Sequence, residues 1–88
     1  MTDEKKPFRV RKLTYKEDRE LDGMDAVILQ AEAAAAAMEE RLADPDFQRE
    51  QFLELDRLAG EASAARVAVA ALYARWEQLE EVRAGRAG

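Results

Sequence analysis

The sequence predicts an all-α protein: an antiparallel two-helix coiled-coil hairpin with a short bent N-terminal helix and a flexible basic N-terminal arm. Three observations lead to this fold class. Apolar residues recur at alternating intervals of three and four along two long segments, which is the pattern of coiled-coil helices. A proline separates the two segments, and the 88 residues hold only two prolines and four glycines in all. Helices joined by so short a turn pack side by side and antiparallel.

The first element is a flexible basic linker, predicted over residues 1–13. Pro7 disfavours helix at the residue before it, and the stretch is too short to form a sheet alone. A helix start follows at Thr14, because Glu17 stands three residues later in the capping-box pattern. Thr14 therefore begins the hairpin domain, which is predicted over residues 14–84.

Gly23 divides the first helical segment. Glycine costs about 1 kcal/mol relative to alanine inside a helix, so residues 15–22 are predicted as a short helix that ends in a kink or a break. The first long helix is predicted over residues 24–43. Its seam consists of Leu21, Met24, Ile28, Ala31, Ala35, Met38 and Leu42.

Pro45 marks the reversal of the chain, predicted as a turn over residues 44–47. Proline forces the preceding Asp44 out of the helical region. Asp46 is then the predicted N-cap of the second long helix, because aspartate accepts hydrogen bonds from the free N–H groups of a first turn.

The second long helix is predicted over residues 48–83, with a disordered tail over residues 85–88. Gly85 and Gly88 are the stop signals, since glycine is the preferred residue just beyond a helix C-terminus. The seam of this helix consists of Leu55, Leu58, Ala62, Ala65, Val69, Leu72, Trp76 and Leu79.

Pairing the seams about the proline turn gives a hairpin that is thin and alanine-rich in its middle, with large side chains at both ends. Trp76 and Tyr73 fall on or beside the seam, which favours a core role over stacking on nucleic-acid bases. We therefore expect Tyr15, Tyr73 and Trp76 to form a structural aromatic base. The expected neighbours are Leu42 with Phe52, Ala31 and Ala35 with Ala59 and Ala62, and Leu21 with Leu72 and Trp76.

Positive charge is concentrated at the N-terminal end. Residues 5–19 carry seven basic and two acidic side chains, whereas residues 20–88 carry seven basic and fifteen acidic ones. The basic residues are either part of a merely soluble linker or neutralise phosphates, which supplies the sequence-independent part of nucleic-acid binding. The candidate nucleic-acid-binding residues are Lys5, Lys6, Arg9, Arg11, Lys12, Lys16 and Arg19.

The composition argues against catalysis in this chain. It has no histidine and no cysteine, which removes the commonest general base and the thiolate ligands of metal sites. The adjacent acidic pairs Glu39–Glu40 and Glu80–Glu81 point about 100° apart on a helix and cannot converge. We expect no catalytic residue, no metal and no cofactor in this chain. No apolar run approaches a membrane span, so a cytoplasmic protein without membrane contact is expected.

Four short sequences carry a resemblance to a known family. KLTYKEDRELDGM begins at Lys12, and EKKPFRVRK precedes it as a basic linker. RLADPDF, at Arg41–Phe47, lies where a helix turns at a hairpin tip, and LYARWEQLEE, at Leu72–Glu81, is a closing aromatic segment. Together they resemble the C-terminal domain of Uup-type ABC-F ATPases. The family's usual Leu-Pro is replaced here by Gly23-Met24.

The resemblance implies a parent protein with two ATP-binding cassettes, which bind ATP and Mg²⁺, and no transmembrane domain. Such proteins are soluble ATPases associated with ribosomes and translation and with DNA transactions, and their C-terminal hairpin is thought to contact nucleic acid. None of the ATP-site motifs stands in these 88 residues. The chain is therefore expected to be an excised domain or a very short stand-alone relative.

Three functional hypotheses remain open at this point. The first is a nucleic-acid-interacting module that binds DNA or RNA, including ribosomal RNA. The second is a protein-interaction module that docks on the parent ATPase or on a ribosomal protein through Phe47, Phe52 and Leu53 at the tip. The third is homodimerisation into a four-helix bundle, so that a monomer or a weak homodimer is expected.

Overall fold

The computed structural model describes residues 12–85 and confirms the all-α antiparallel hairpin. Helix α1 and helix α3 have 29 residues each and pack against one another. The molecule is a rod with principal extents of 67 × 22 × 17 Å. In chain order the elements are α1 (Tyr15–Ala43), α2 (Pro45–Glu50), a 3-10 helix (Phe52–Glu54) and α3 (Leu55–Arg83).

The start of α1 is the predicted capping box. The backbone N–H of Glu17 donates to Thr14 Oγ1 at 3.1 Å, and the backbone N–H of Thr14 donates to Glu17 Oε1 at 3.0 Å. Two groups that a helix start leaves without partners are thereby satisfied. The Thr14-to-Glu17 spacing thus defined the helix start correctly.

At Gly23 the structure differs from the prediction, because α1 continues through this residue without a break. Leu21 and Met24, on either side of it, are both buried. Packing of these two side chains outweighs the helix propensity cost of about 1 kcal/mol. Gly23 itself is exposed, and a Cβ added to it would meet nothing within 4 Å.

The N-cap of the element after α1 is Asp44 rather than the predicted Asp46. Asp44 is extended, with φ −80° and ψ 118°, and its Oδ1 accepts the backbone N–H of Asp46 at 3.0 Å. Pro45 becomes the first helical residue, a position that tolerates proline because its missing N–H would have no partner there anyway. Gln48 Nε2 donates to the carbonyl of Leu42 at 2.7 Å and satisfies the end of α1.

The second long helix begins later than the predicted residue 48. α2 ends at Glu50, Gln51 departs from helical geometry with φ −120° and ψ 28°, and α3 starts only at Leu55. The chain therefore reverses direction over two short helices rather than over one four-residue turn. This longer reversal moves the first seam contact of α3 away from the turn.

The register of the hairpin changes accordingly. Leu42 shares a cleft of about 70 Å³ with Leu58, not with Phe52, whose side chain is 66% exposed. Further along, Arg66 pairs with Glu39 and Tyr73 pairs with Glu32. A step of seven residues back along α1 thus accompanies seven residues forward along α3, which is the heptad register of an antiparallel coiled coil.

The predicted seams are the packed faces of both helices. All fifteen of their residues are buried or half-buried. In the middle of the hairpin the seam is narrow, with Ala35 fully buried and Ala62 and Val69 nearly so. Small side chains at these positions let two helix backbones approach closely.

Larger apolar side chains form the core at the open end of the hairpin, here called the base. Leu79 is fully buried there, and it is the largest such side chain among the described residues. Leu13, which precedes α1, packs against the same cluster, so the end of the N-terminal arm is part of the fold. The cluster consists of Leu21, Met24, Ile28 and Leu79, with Leu13, Leu72 and Trp76 packed against it.

Gly85 ends α3, as its position predicted. It has a φ of +80°, the left-handed conformation that favours glycine, and its N–H donates to the carbonyl of Val82 at 3.0 Å. The second predicted stop, Gly88, and the predicted arm up to residue 11 lie outside the described residues.

Candidate nucleic-acid interface

The base of the hairpin brings the predicted basic residues together with the end of α3. Lys12, Lys16 and Arg19 are exposed on the last arm residues and the first turns of α1. A shallow groove beside Lys12 is also lined by Val82 and Arg83 of α3. The other four candidates, Lys5, Lys6, Arg9 and Arg11, lie outside the described residues.

The capping box positions these cations. Its two hydrogen bonds join Thr14 to Glu17, and this fixes the direction in which the arm enters α1. Lys12 is held two residues before the cap, while Lys16 and Arg19 lie on the first two turns. The positive helix N-terminus adds to the attraction of this end for anions.

Arg75 adds a further cation at the base, but its charge is paired. Its Nε and Nη2 donate to the two carboxylate oxygens of Glu20 at 2.8 and 2.9 Å. The hydrogen bond from Arg75 lowers the pKa of Glu20 below its ordinary value and raises the pKa of Arg75. Both side chains remain more than a third exposed, so solvent screens the pair and it adds little to stability. It ties α1 to α3.

Tyr15 is not part of the core, contrary to the predicted aromatic base. Its side chain is 76% exposed, because six residues of helix place it about 120° around from the buried Leu21. Arg19 Nη1 donates to Tyr15 Oη at 2.8 Å, and the Arg19 guanidinium carbon lies 5.7 Å from the ring centroid. Tyr15 thus lies on the surface beside Arg19 and not in the core.

The other two aromatic residues are engaged within the hairpin. Trp76 is half-buried against the core cluster of the base. Tyr73 is 41% exposed, and its hydroxyl donates to Glu32 Oε2 at 2.9 Å across the two helices. This hydrogen bond raises the pKa of Tyr73. Among the aromatic residues of the described part, only Tyr15 combines high exposure with a place among cations.

The ion pairs and hydrogen bonds between the two long helices were not predicted from the sequence. Arg66 donates through Nε and Nη2 to the two oxygens of Glu39, both at 2.7 Å, which lowers the pKa of Glu39. Predicting this pair needs the register, and the register depends on how many residues the tip uses. The Tyr15–Arg19 contact had a local signal, because residues four apart on a helix lie on the same face.

The tip of the hairpin, at the opposite end from the base, has a different character. Phe52 and Leu53 are 66% and 83% exposed, and Phe47 is half-buried beside the cleft of Leu42 and Leu58. Residues 44–57 carry five acidic and two basic side chains. Arg49 pairs with Asp46, and Arg57 pairs with both Glu54 and Glu61. The tip is therefore net acidic, with three more acidic than basic side chains over these fourteen residues.

The described part of the chain offers little for chemistry. Among residues 12–85, no three carboxylates lie where they could hold a metal ion. The longest helices of that part lack the run of apolar residues that a membrane crossing needs.

Comparison with known proteins gives one match. A family model described as "ABC transporter C-terminal domain" matches residues 12–81. The match begins at the basic residue before the capping box and ends within the last turn of α3. No curated protein and no solved structure matches the chain.

Proposed function

The chain belongs to the ABC transporter C-terminal domain family, of the Uup type, and we propose that it contacts nucleic acid on behalf of an ABC-F ATPase. The observation that supports this function is a group of exposed cations at the base of the rod. Three cations, Lys12, Lys16 and Arg19, project there beside a helix N-terminus, on a body that is otherwise acidic. Phosphate contacts from such side chains need no sequence recognition.

The catalytic part of this function lies elsewhere. No ATP cassette is present in this chain, so ATP and Mg²⁺ act in the parent protein's cassettes. The hairpin's role in this proposal is to present the cations of its base to nucleic acid. The parent works in the cytoplasm on ribosomes and translation or on DNA.

Salt dependence is the first test. Binding of the chain to duplex DNA and to structured RNA is expected to weaken steeply as salt is raised, with log K falling by about 0.7–0.9 per phosphate neutralised. Changing Lys12, Lys16 and Arg19 together to alanine is expected to reduce this slope by about 2. Fluorescence anisotropy at two or more salt concentrations measures both quantities.

A matched control changes the net charge equally but at the other end of the rod. Replacing Arg41, Arg49 and Arg57 by alanine removes three cations from α1, α2 and α3 near the tip. This variant is expected to keep the slope of the original chain. An equal loss in both variants would mean that net charge alone governs binding, and an absence of binding at low salt would contradict the function.

Protein binding at the tip is a second candidate function, favoured by the exposure of Phe52 and Leu53. Large apolar side chains that stay exposed next to one another can mark a contact surface. The acidic surroundings suit a basic partner, such as a ribosomal protein or a basic face of the parent ATPase. On this alternative the basic arm is only a linker.

Changing Phe52 and Leu53 together to serine is expected to abolish association with such a partner. Titration calorimetry against a purified two-cassette ABC-F ATPase and against a ribosomal protein measures it. The matched variant changes Leu29 and Val67 together to serine. Both side chains are 68% exposed on the shaft of the hairpin, and this variant is expected to bind normally. Equal affinity of the two double variants would count against the tip, and sedimentation velocity of the chain alone shows whether a second copy is the partner.

A further inference from the structure

The most exposed aromatic side chain of the described residues lies within the basic surface. Tyr15 is 76% exposed, against 66% for Phe52 at the tip and 41% for Tyr73 on the shaft. Lys16 adjoins it in sequence, and Arg19 lies over its ring. The core does not need this ring, because the cluster at the base is complete without it.

Arg19 also fixes the orientation of the Tyr15 ring. The guanidinium donates to the hydroxyl at 2.8 Å while its carbon lies 5.7 Å from the ring centroid. This contact restricts the rotation of the tyrosine side chain before any ligand arrives, which reduces the entropy lost on binding. Arg19 keeps its positive charge in this contact and can still face a phosphate.

An exposed aromatic ring with cations around it is the combination of side chains found in sites that bind single-stranded nucleic acid. Such sites combine cations that follow the phosphate backbone with aromatic rings on which bases stack. In a perfect duplex the bases are stacked on one another and their faces are closed to a side chain. An unpaired base in a loop, a bulge or a single strand can lie flat on a tyrosine.

Resting on the proposed nucleic-acid function, we infer that Tyr15 stacks on an unpaired base and gives this domain a preference for DNA or RNA with unpaired bases. Lys12, Lys16 and Arg19 hold the flanking phosphates. Trp76 and Tyr73 are placed less well for this role, since Trp76 packs against the core and Tyr73 is only 41% exposed, with its hydroxyl bonded to the acidic Glu32. The ligand chemistry is an unpaired base on a phosphate backbone, which both single-stranded DNA and single-stranded RNA provide.

The test compares strands with and without bases, and single strands with a duplex. Oligothymidylate of about 12 nucleotides, a length within the range of single-strand sites, is titrated beside an abasic strand of equal length, an oligouridylate and a perfect duplex. The original chain is expected to bind the base-bearing strands at least about fivefold more tightly than the abasic strand, the lower end of what one stacked base contributes. The two base-bearing strands distinguish DNA from RNA.

Variants of Tyr15 then assign the difference to this ring. Tyr15→Ala is expected to remove the preference for bases and to leave the affinity for the abasic strand within about twofold. Tyr15→Phe keeps the ring and is expected to keep the preference. Phe52→Ala removes an exposed ring at the opposite end of the rod and is expected to change nothing. Because Tyr15 and Phe52 are exposed, all three variants should melt at nearly the temperature of the original chain.

The results separate this inference from the function on which it rests. Equal affinity for base-bearing and abasic strands, or a Tyr15→Ala variant that weakens both alike, overturns the stacking role while salt-dependent phosphate binding stands. Failure of every strand to bind at low salt overturns both. A loss of base preference confined to Tyr15→Ala, with Tyr15→Phe unaffected, is the result we expect.

Discussion

Changing Leu79 to alanine is expected to destabilise the hairpin more than any other single truncation, by about 2–5 kcal/mol. Leu79 is fully buried, and it packs at the base with Leu21, Met24 and Ile28. The substitution removes transfer free energy and leaves a cavity that two helices cannot close without moving. Because domains of this size have only about 3–5 kcal/mol from a single core, much of the population should unfold.

Urea denaturation followed by far-ultraviolet circular dichroism measures this loss. Leu29→Ala makes the same chemical change at a side chain that is 68% exposed on α1, and it is expected to change stability by less than about 0.5 kcal/mol. If the two variants lost stability equally, the base would not be the main core. Since Leu13 packs on the same cluster, the Leu79 variant should also weaken nucleic-acid binding.

The heptad spacing predicted the fold, because apolar residues with this spacing all lie on one face of a helix. A residue of the series that runs from Leu21 to Leu42 must face the partner helix if it is to leave water. The same argument applies from Leu55 to Leu79. Full or partial burial of every residue in both series follows from periodicity alone and needs no knowledge of register.

The tip and the register could not be read from the same pattern. The pattern allowed the second helix to start at residue 48, and only the backbone at Asp44 and Gln51 shows that two short helices intervene. Asp44 and Asp46 are both good N-cap residues, and the choice between them depends on where proline is tolerated. An error of several residues at the turn then misplaces cross-helix neighbours, as it did for Leu42.

Tyr15 shows a different limit of sequence reasoning. Aromatic residues near the end of a seam are usually buried, so the sequence favoured a core role. Yet Tyr15 lies about 120° from Leu21 on an ideal helix, and helical geometry through Gly23 carries this angle unchanged. The sequence predicted a kink or a break at Gly23, whereas the continuous helix places Tyr15 on an exposed face.

The alanine-rich middle of the hairpin is expected to tolerate no larger side chain at its buried position. Ala35 is the central residue of five consecutive alanines, and it alone among them is fully buried. Changing Ala35 to leucine places a larger side chain where the helices approach closely, and we expect it to destabilise the hairpin by about 1–3 kcal/mol. The strain should also stretch the cross-helix contacts of Glu32 with Tyr73 and of Glu39 with Arg66, which flank this point.

Ala36→Leu supplies the matched control for this prediction. Ala36 is the next residue of the same helix, but it is exposed, so the change in helix propensity is the same while the packing is not. We expect its urea midpoint to stay near that of the original chain. If Ala35→Leu were instead neutral or stabilising, the middle of the hairpin would have room for a leucine. The thin shaft would then be a loosely packed region rather than a close contact, and the cross-helix pairs would have to set the separation of the helices.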